Sequence, residues 1–240
     1  RDRIIKKVKS SYLRKTHKYG IEVPKNVAQA IQLDIDNGNT YWMDAIEKEM
    51  KNVMCAFEFN DGDNIPIGHK KIEVHMIFDV KMMTLTRKAR LVAGGHLTDP
   101  PKESVYSSVV SRESVRLAFL AAALNDNKIL AGDIQNAYLN APTQERVYII
   151  CGSEFGSNAD RPALIVKALY GLKSSGARFR DHLAQSLRDM GFKSCLADAD
   201  VWMRENTKPD GFKYWEYCLC YVDDVSVISH APQKVMNGLS

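Results

Sequence analysis

The chain has 240 residues, 45% hydrophobic and 26% charged, which excludes a disordered or collagen-like protein and leaves room for one large or two small domains. No apolar run approaches the ~20 residues of a membrane-spanning helix, and the start has no signal-peptide pattern. A net charge of +4 favours an anionic partner only mildly, and five scattered cysteines offer neither a disulfide framework nor a zinc spacing.

The first residues are basic. Eight Lys and Arg side chains stand between Arg1 and Lys18 against Asp2 alone, an arm suited to touching nucleic acid or to being a solvated tail. Residues 26–36 read as a short helix stopped by Asn37-Gly38-Asn39. Thr40 is placed to cap a second helix, where Trp42, Ile46, Met50 and Val53 recur at helical spacing. Residues 60–63 form a turn, and β-rich segments follow at 65–67, 71–79 and 87–93. Gly94-Gly95 and Asp99-Pro100-Pro101 break the chain. Ser111 caps an apolar helix through Leu124, with Glu113 at its positive end. Residues 128–134 read as a short buried strand, and 146–151 and 163–167 as further strands. Ser174 or Ser175 caps a helix with the stripe Phe179, Leu183, Leu187 and Met190, stopped by Gly191. Helices and strands alternate irregularly and hairpins are frequent, so the fold class is α+β rather than a doubly wound parallel sheet.

In Cys218-Leu-Cys-Tyr-Val-Asp-Asp-Val-Ser-Val-Ile-Ser-His230, two aspartates interrupt a β-forming run, which predicts a hairpin. Asp is a common turn residue, but favoured two-residue turns want Gly or Asn at positive φ, and adjacent like charges repel unless a cation neutralises them. Turn chemistry and a metal site both fit. Cys218 and Cys220 share a strand face and read as buried apolar residues. Asp133 ends an apolar strand, where it caps the next segment or points into a site. Should Asp133 meet Asp223 and Asp224, the three carboxylates make an oxygen-rich cluster suited to Mg²⁺. Two such ions support nucleotidyl transfer or phosphodiester cleavage. Lys88 and Arg90 alternate with Ala89 and Leu91, so two cations share one strand face, either to grip a triphosphate or simply to be solvated. Gly171 and Lys173 lie in a loop before a helix N-terminus, a phosphate-binding position or a plain turn. Tyr138 by itself reads equally as a core tyrosine.

Tyr221-Val-Asp-Asp224 resembles the metal-binding hairpin of reverse transcriptases. Three more stretches are similar to the polymerase of copia-type LTR retrotransposons: Lys88-Ala-Arg-Leu-Val-Ala93, Asp133-Ile-Gln-Asn-Ala-Tyr-Leu-Asn140 and Ala168-Leu-Tyr-Gly-Leu-Lys-Ser-Ser175. The helix of residues 41–50 resembles the segment that opens that domain. The resemblance runs over residues 39–229 with its blocks in family order. It implies an RNA-directed DNA polymerase with right-hand fingers and palm and an antiparallel palm sheet. Residues 1–38 would be a basic arm and linker helix, 39–128 mainly fingers and 129–240 mainly palm, with thumb and RNase H expected beyond the chain.

The same resemblance implies two Mg²⁺ ions, for which Mn²⁺ could substitute, held by Asp133 and Asp223 with Asp224 in support. Tyr138 would lie under the incoming sugar and select deoxynucleotides. Lys88 and Arg90 would hold the triphosphate, and Tyr170, Gly171 and Lys173 would contact nucleotide or template. Gly94, His96 and Gly176 depart from commoner family members, which bears on fingers-loop contacts and loop stiffness and spares the carboxylates. The implied partners are a template with primer, deoxynucleoside triphosphates and the remaining polyprotein domains, thumb, RNase H and integrase, with no membrane. The implied location is a cytoplasmic virus-like particle. The alternative is a catalytically inactive nucleic-acid-binding fragment of such a polyprotein.

Overall fold

The computed structural model describes residues 17–60, 64–98 and 105–239. The expected basic arm up to residue 16, the centre of the 60–63 turn and the 99–101 break lie outside them. Among the described residues the first elements are strands β1 (His17–Lys18) and β2 (Ile21–Glu22), followed by helices α1 (Val27–Asn37) and α2 (Tyr41–Val53). Strands β3 (Phe57–Glu58), β4 (Lys70–Lys71), β5 (Val74–Val80) and β6 (Arg87–Ala93) come next. Helix α3 (Arg112–Leu124) precedes β7 (Lys128–Asp133), β8 (Val147–Ile150) and β9 (Pro162–Ile165). Helix α4 (Ser175–Asp189) leads to β10 (Lys193–Ser194), β11 (Val201–Thr207), β12 (Lys213–Tyr221), β13 (Asp224–Ser229) and helix α5 (Pro232–Gly238). The architecture is α+β, as the irregular alternation of helices and strands predicts. Among the described residues no helix is long and apolar enough to cross a membrane.

Two compact units divide the chain, Arg1–Asp99 with Glu145–Leu172, and Pro100–Gln144 with Lys173–Ser240. Each unit draws on two separate stretches of the chain. Strands β8 and β9 carry residues 145–172 back to the first unit, because β8 pairs with β4 and β9 with β3. Helix α3 packs instead on β7 and β13 of the second unit.

In the first unit, the stripe Trp42, Ile46, Met50 and Val53 is buried against the β5–β6 hairpin. Met76, Phe78 and Val80 alternate inward from β5, and Ala89, Leu91 and Ala93 from β6, with the Trp42 and Phe78 rings edge to face at 5.6 Å. Burying a large apolar side chain of this kind stabilises by roughly 1.5–3 kcal/mol. The expected Thr40 cap is not made. Asp34, buried in α1, accepts the backbone N–H groups of Trp42 and Met43, while the Thr40 hydroxyl turns to Asp44. A carboxylate reaching two free N–H groups at a positive helix end outcompetes a neutral hydroxyl. Residues 65–67 do not form the expected strand. Pro66 donates no hydrogen bond and instead accepts one from His69 N–H in a turn, leaving Ile67 fully exposed.

The second unit is built on a five-stranded antiparallel sheet in the order β10-β11-β12-β13-β7. Ser111 caps α3 through Ser114 N–H as expected, and Ala118 and Ala122 pack with Val201, Leu219 and Ile228. Helix α5 packs against β7 and β13, with Gly132 leaving space for Met236; a Cβ there would sit 2.4 Å from its methyl group. Strand β7 is not the buried strand expected. It lies at the sheet edge with Lys128, Ile129, Ala131 and Asp133 exposed, because among the described residues only β13 pairs with it.

Candidate active site

The hairpin between β12 and β13 closes as Tyr221 pairs with Asp224, so its two central residues are Val222 and Asp223. Asp224 opens the returning strand instead of sharing the break. Val222 takes the positive-φ position of the turn, at φ 53°. A β-branched residue in that region is strained, and such strain persists where the surroundings over-determine it.

Asp224 is also the register partner of Asp133 on β7, and Ile134 N–H donates to the Asp223 carbonyl at 2.8 Å. Three carboxylates thus stand at adjacent backbone positions at the end of the sheet. Asp133 and Asp224 are exposed and Asp223 half-buried. Among the described residues, none of the three side chains makes a hydrogen bond or ion pair. As the side chains stand, no group of three or more His, Cys, Asp or Glu among the described residues is arranged to hold a metal ion. The donor set is all carboxylate oxygen, the chemistry that suits hard divalent cations.

Tyr138 lies in a short 3₁₀ turn (Ala137–Asn140), half-buried, its ring edge to face with Phe179 of α4 at 6.1 Å. Lys173 lies in the same unit, at the start of Lys173–Ser240. The second unit also holds a polar lock that the sequence reading missed. Asp200 is buried; it accepts Arg180 Nε at 2.8 Å and the Ser108 hydroxyl, and its carbonyl accepts Cys220 N–H next to the hairpin. Asp198 supplements the α3 cap by accepting Ser111 N–H and the Ser114 hydroxyl. Burial pushes its carboxyl up, but these bonds and the Asp200 N–H outweigh it and hold the pKa below the usual value. The Asp-Ala-Asp spacing at 198–200 was the available signal. Cys218 and Cys220 are buried and free. Their hydrogen bond, then burial, pushes the Cys220 thiol well above its ordinary pKa.

Lys88, Arg90, Tyr170 and Gly171 belong to the first unit. Lys88 and Arg90 point away from the buried Ala89, Leu91 and Ala93, as strand alternation predicts. Glu49 of α2 lies close by and accepts Leu91 N–H at 3.0 Å. Burial raises its carboxyl above the ordinary value, against the pull of that bond and of the Arg90 and Lys88 charges. Burial also lowers the Lys88 ammonium, helped by the Arg90 and Lys81 charges. The Arg90 guanidinium stacks on the Tyr170 ring at 4.6 Å, and Ala93 N–H donates to the Tyr170 carbonyl.

Residues 60–239 match the family described as reverse transcriptase (RNA-dependent DNA polymerase). The chain is 29% identical over 157 residues to a retrovirus-related Pol polyprotein from transposon RE1 of Arabidopsis thaliana, covering 63% of this chain and 10% of that protein. It is 28% identical over 211 residues to the transposon Ty1-LR2 Gag-Pol polyprotein of Saccharomyces cerevisiae, covering 82% of this chain and 11% of that protein. The chain therefore spans about a tenth of the length of the curated relatives it matches.

Proposed function

Because this chain belongs to the reverse transcriptase (RNA-dependent DNA polymerase) family, we propose that it carries the nucleotidyl-transfer centre of a copia-type retrotransposon polymerase. In this reading the five-stranded sheet is the palm and the β5–β6 hairpin is part of the fingers. The observation that carries it is the cross-strand pairing of Asp133 with Asp224, with Asp223 beside them at the turn.

Asp133 and Asp223 would hold two Mg²⁺ ions, or Mn²⁺ in their place, with Asp224 in support. When bound, such ions activate a primer 3′-hydroxyl and stabilise the charge that builds on the triphosphate. The oxygen of that hydroxyl forms a bond to the α-phosphorus as the bond to pyrophosphate breaks. By the family resemblance, Lys88 and Arg90 would bind the triphosphate, Lys88 as a point charge and Arg90 as a planar fork. Tyr138, whose ring meets Phe179 edge to face, would in this reading exclude a ribose 2′-hydroxyl. Gly171 and Lys173 contribute to nucleotide or template contact. Catalysis rests on positioning and charge stabilisation, and no side chain is assigned as general base.

The partners in this reading are an RNA or DNA template with its primer, deoxynucleoside triphosphates and the other parts of a Pol polyprotein, within a cytoplasmic virus-like particle. Primer extension on an RNA template annealed to a DNA primer tests it, with Asp133→Asn and Asp223→Asn as controls. Mg²⁺-dependent extension by the wild type, lost in both variants, is the expected result. Extension retained in either variant overturns the assignment. Salt-sensitive binding of template–primer without extension would favour the non-catalytic nucleic-acid-binding alternative.

A further inference from the structure

We propose that Tyr170 is a positioning residue for Arg90: its ring is the platform that fixes the guanidinium plane through which β6 meets a triphosphate. The inference rests on the reading of Arg90 as a triphosphate ligand, and it gives Tyr170 a task other than touching the nucleotide itself.

The guanidinium carbon of Arg90 lies 4.6 Å from the centre of the Tyr170 ring. A guanidinium held on an aromatic face keeps its N–H edges free in the plane, the geometry a bidentate phosphate contact requires. Arg90 is exposed and, among the described residues, makes no ion pair. Arg87, three residues earlier on the same strand, provides a contrast. It also stacks, on Tyr41 at 5.0 Å, but it donates to the Leu85 carbonyl. One arginine of the strand serves the hairpin, and the other presents its donors outward.

The platform is itself held in place. Ala93 N–H donates to the Tyr170 carbonyl at 2.7 Å, tying the loop to the end of β6. Gly171 sits at φ +94°, and a Cβ there would come within 2.1 Å of the Ala93 carbonyl oxygen. A Cβ on Gly95 would come equally close to the Gly171 carbonyl oxygen. Loop and strand end close on each other with no space for a side chain at either glycine, so the backbone that carries the Tyr170 ring is held beside the end of β6. Arg90 on a flexible side chain would otherwise sample many orientations, and the ring contact restricts that freedom before a triphosphate arrives.

The test compares the full chain with Tyr170→Phe, Tyr170→Leu and Arg90→Lys. The Arg90 Nε–H signal is read by ¹⁵N NMR, and the dissociation constant of Mg²⁺-dTTP by titration. The wild type should show a ring-current shift at Arg90 Nε–H that Tyr170→Phe restores and Tyr170→Leu abolishes. Tyr170→Leu should weaken dTTP binding about two- to fivefold, the range of an exposed cation–aromatic contact, whereas Tyr170→Phe should match the wild type. In an Arg90→Lys background, Tyr170→Leu should add nothing. Unchanged affinity in Arg90→Lys would remove the triphosphate reading of Arg90 itself. Weakened affinity in Arg90→Lys with none in Tyr170→Leu would remove the positioning role alone. Equal loss in Tyr170→Phe and Tyr170→Leu would assign the tyrosine hydroxyl to the nucleotide and overturn the platform. The NMR shift is read without nucleotide, so its absence in the wild type also overturns the inference.

Discussion

Asp133 and Asp224 face each other as register partners across β7 and β13, with no cation or hydrogen-bond donor engaging either side chain among the described residues. Like charges directly opposite in a sheet destabilise it by roughly 0.2–1 kcal/mol. A cation bound between the two carboxylates would offset this repulsion. Asp133→Asn should therefore raise the melting temperature of the metal-free chain by about 0.4–4 °C, given ~2–4 °C per kcal/mol at this size. Added Mg²⁺ should stabilise the wild type and leave the variant unmoved. Thermal unfolding in chelator and in Mg²⁺ checks both halves. A variant less stable than the wild type in chelator would mean that the pair is a structural contact.

Val222 stands at φ 53° in the hairpin turn one residue before Asp223. Left-handed backbone costs a non-glycine residue roughly 1–2 kcal/mol, against ~0.5–1 kcal/mol of extra chain entropy lost by glycine. Val222→Gly should stabilise the chain by about 0.5–1 kcal/mol, seen as a higher urea midpoint, while lowering primer extension because the turn that carries Asp223 loosens. An unchanged midpoint with full extension would show that the strain has no bearing on the site.

Helix α2 receives its cap from Asp34, eight and nine residues before the N–H groups of Trp42 and Met43. Asp34→Ala should cost about 0.5–2 kcal/mol, the range for losing an N-cap, and Thr40→Ala only a few tenths, since the Thr40 side chain makes no cap bond. Chemical denaturation of the two variants separates them. Equal losses would return the cap to Thr40.

The contrast between Asp34 and Thr40 shows where sequence reasoning reaches its limit. Capping chemistry at Ser111 was legible because donor and acceptor are three residues apart, whereas Asp34 reaches over a turn whose path only the fold sets. Alternation put Lys88 and Arg90 on one face, and helical spacing put Trp42, Ile46, Met50 and Val53 on another, because both patterns are periodic in the chain. The reverse transcriptase family was legible in four ordered blocks, and the match over residues 60–239 bears it out. Long-range pairing was not legible. The edge position of β7, the return of β8 and β9 to the first unit, and the Arg180–Asp200–Ser108 lock all join residues remote in sequence, for which no local pattern exists. Strand β11 was missed because its burial fades from Val201 and Trp202 into exposed Glu205 and Thr207.

Glu216 on β12 is buried with its carboxylate accepting the Ser229 hydroxyl and Arg204 Nε at 2.6 Å. Burial alone would raise its pKa, but the bonds from Ser229 and Arg204 outweigh burial and lower it from the ordinary 4.5. Asp198 is likewise held below its ordinary 3.8. A carboxyl depressed in the folded chain releases its proton more readily there than in the unfolded chain. The stability it adds is complete above the unfolded value and is lost as pH falls from that value through the folded one. Unfolding free energy should thus hold steady above about pH 5 for these two groups and fall on acidification from there. Glu216→Gln should be less stable near neutrality, because the Arg204 guanidinium loses its charged partner in a buried setting, and its further loss in acid should be shallower. Urea titrations of both proteins at pH 3.5, 5 and 7 would measure the two slopes, and parallel slopes would assign the acid sensitivity to other groups.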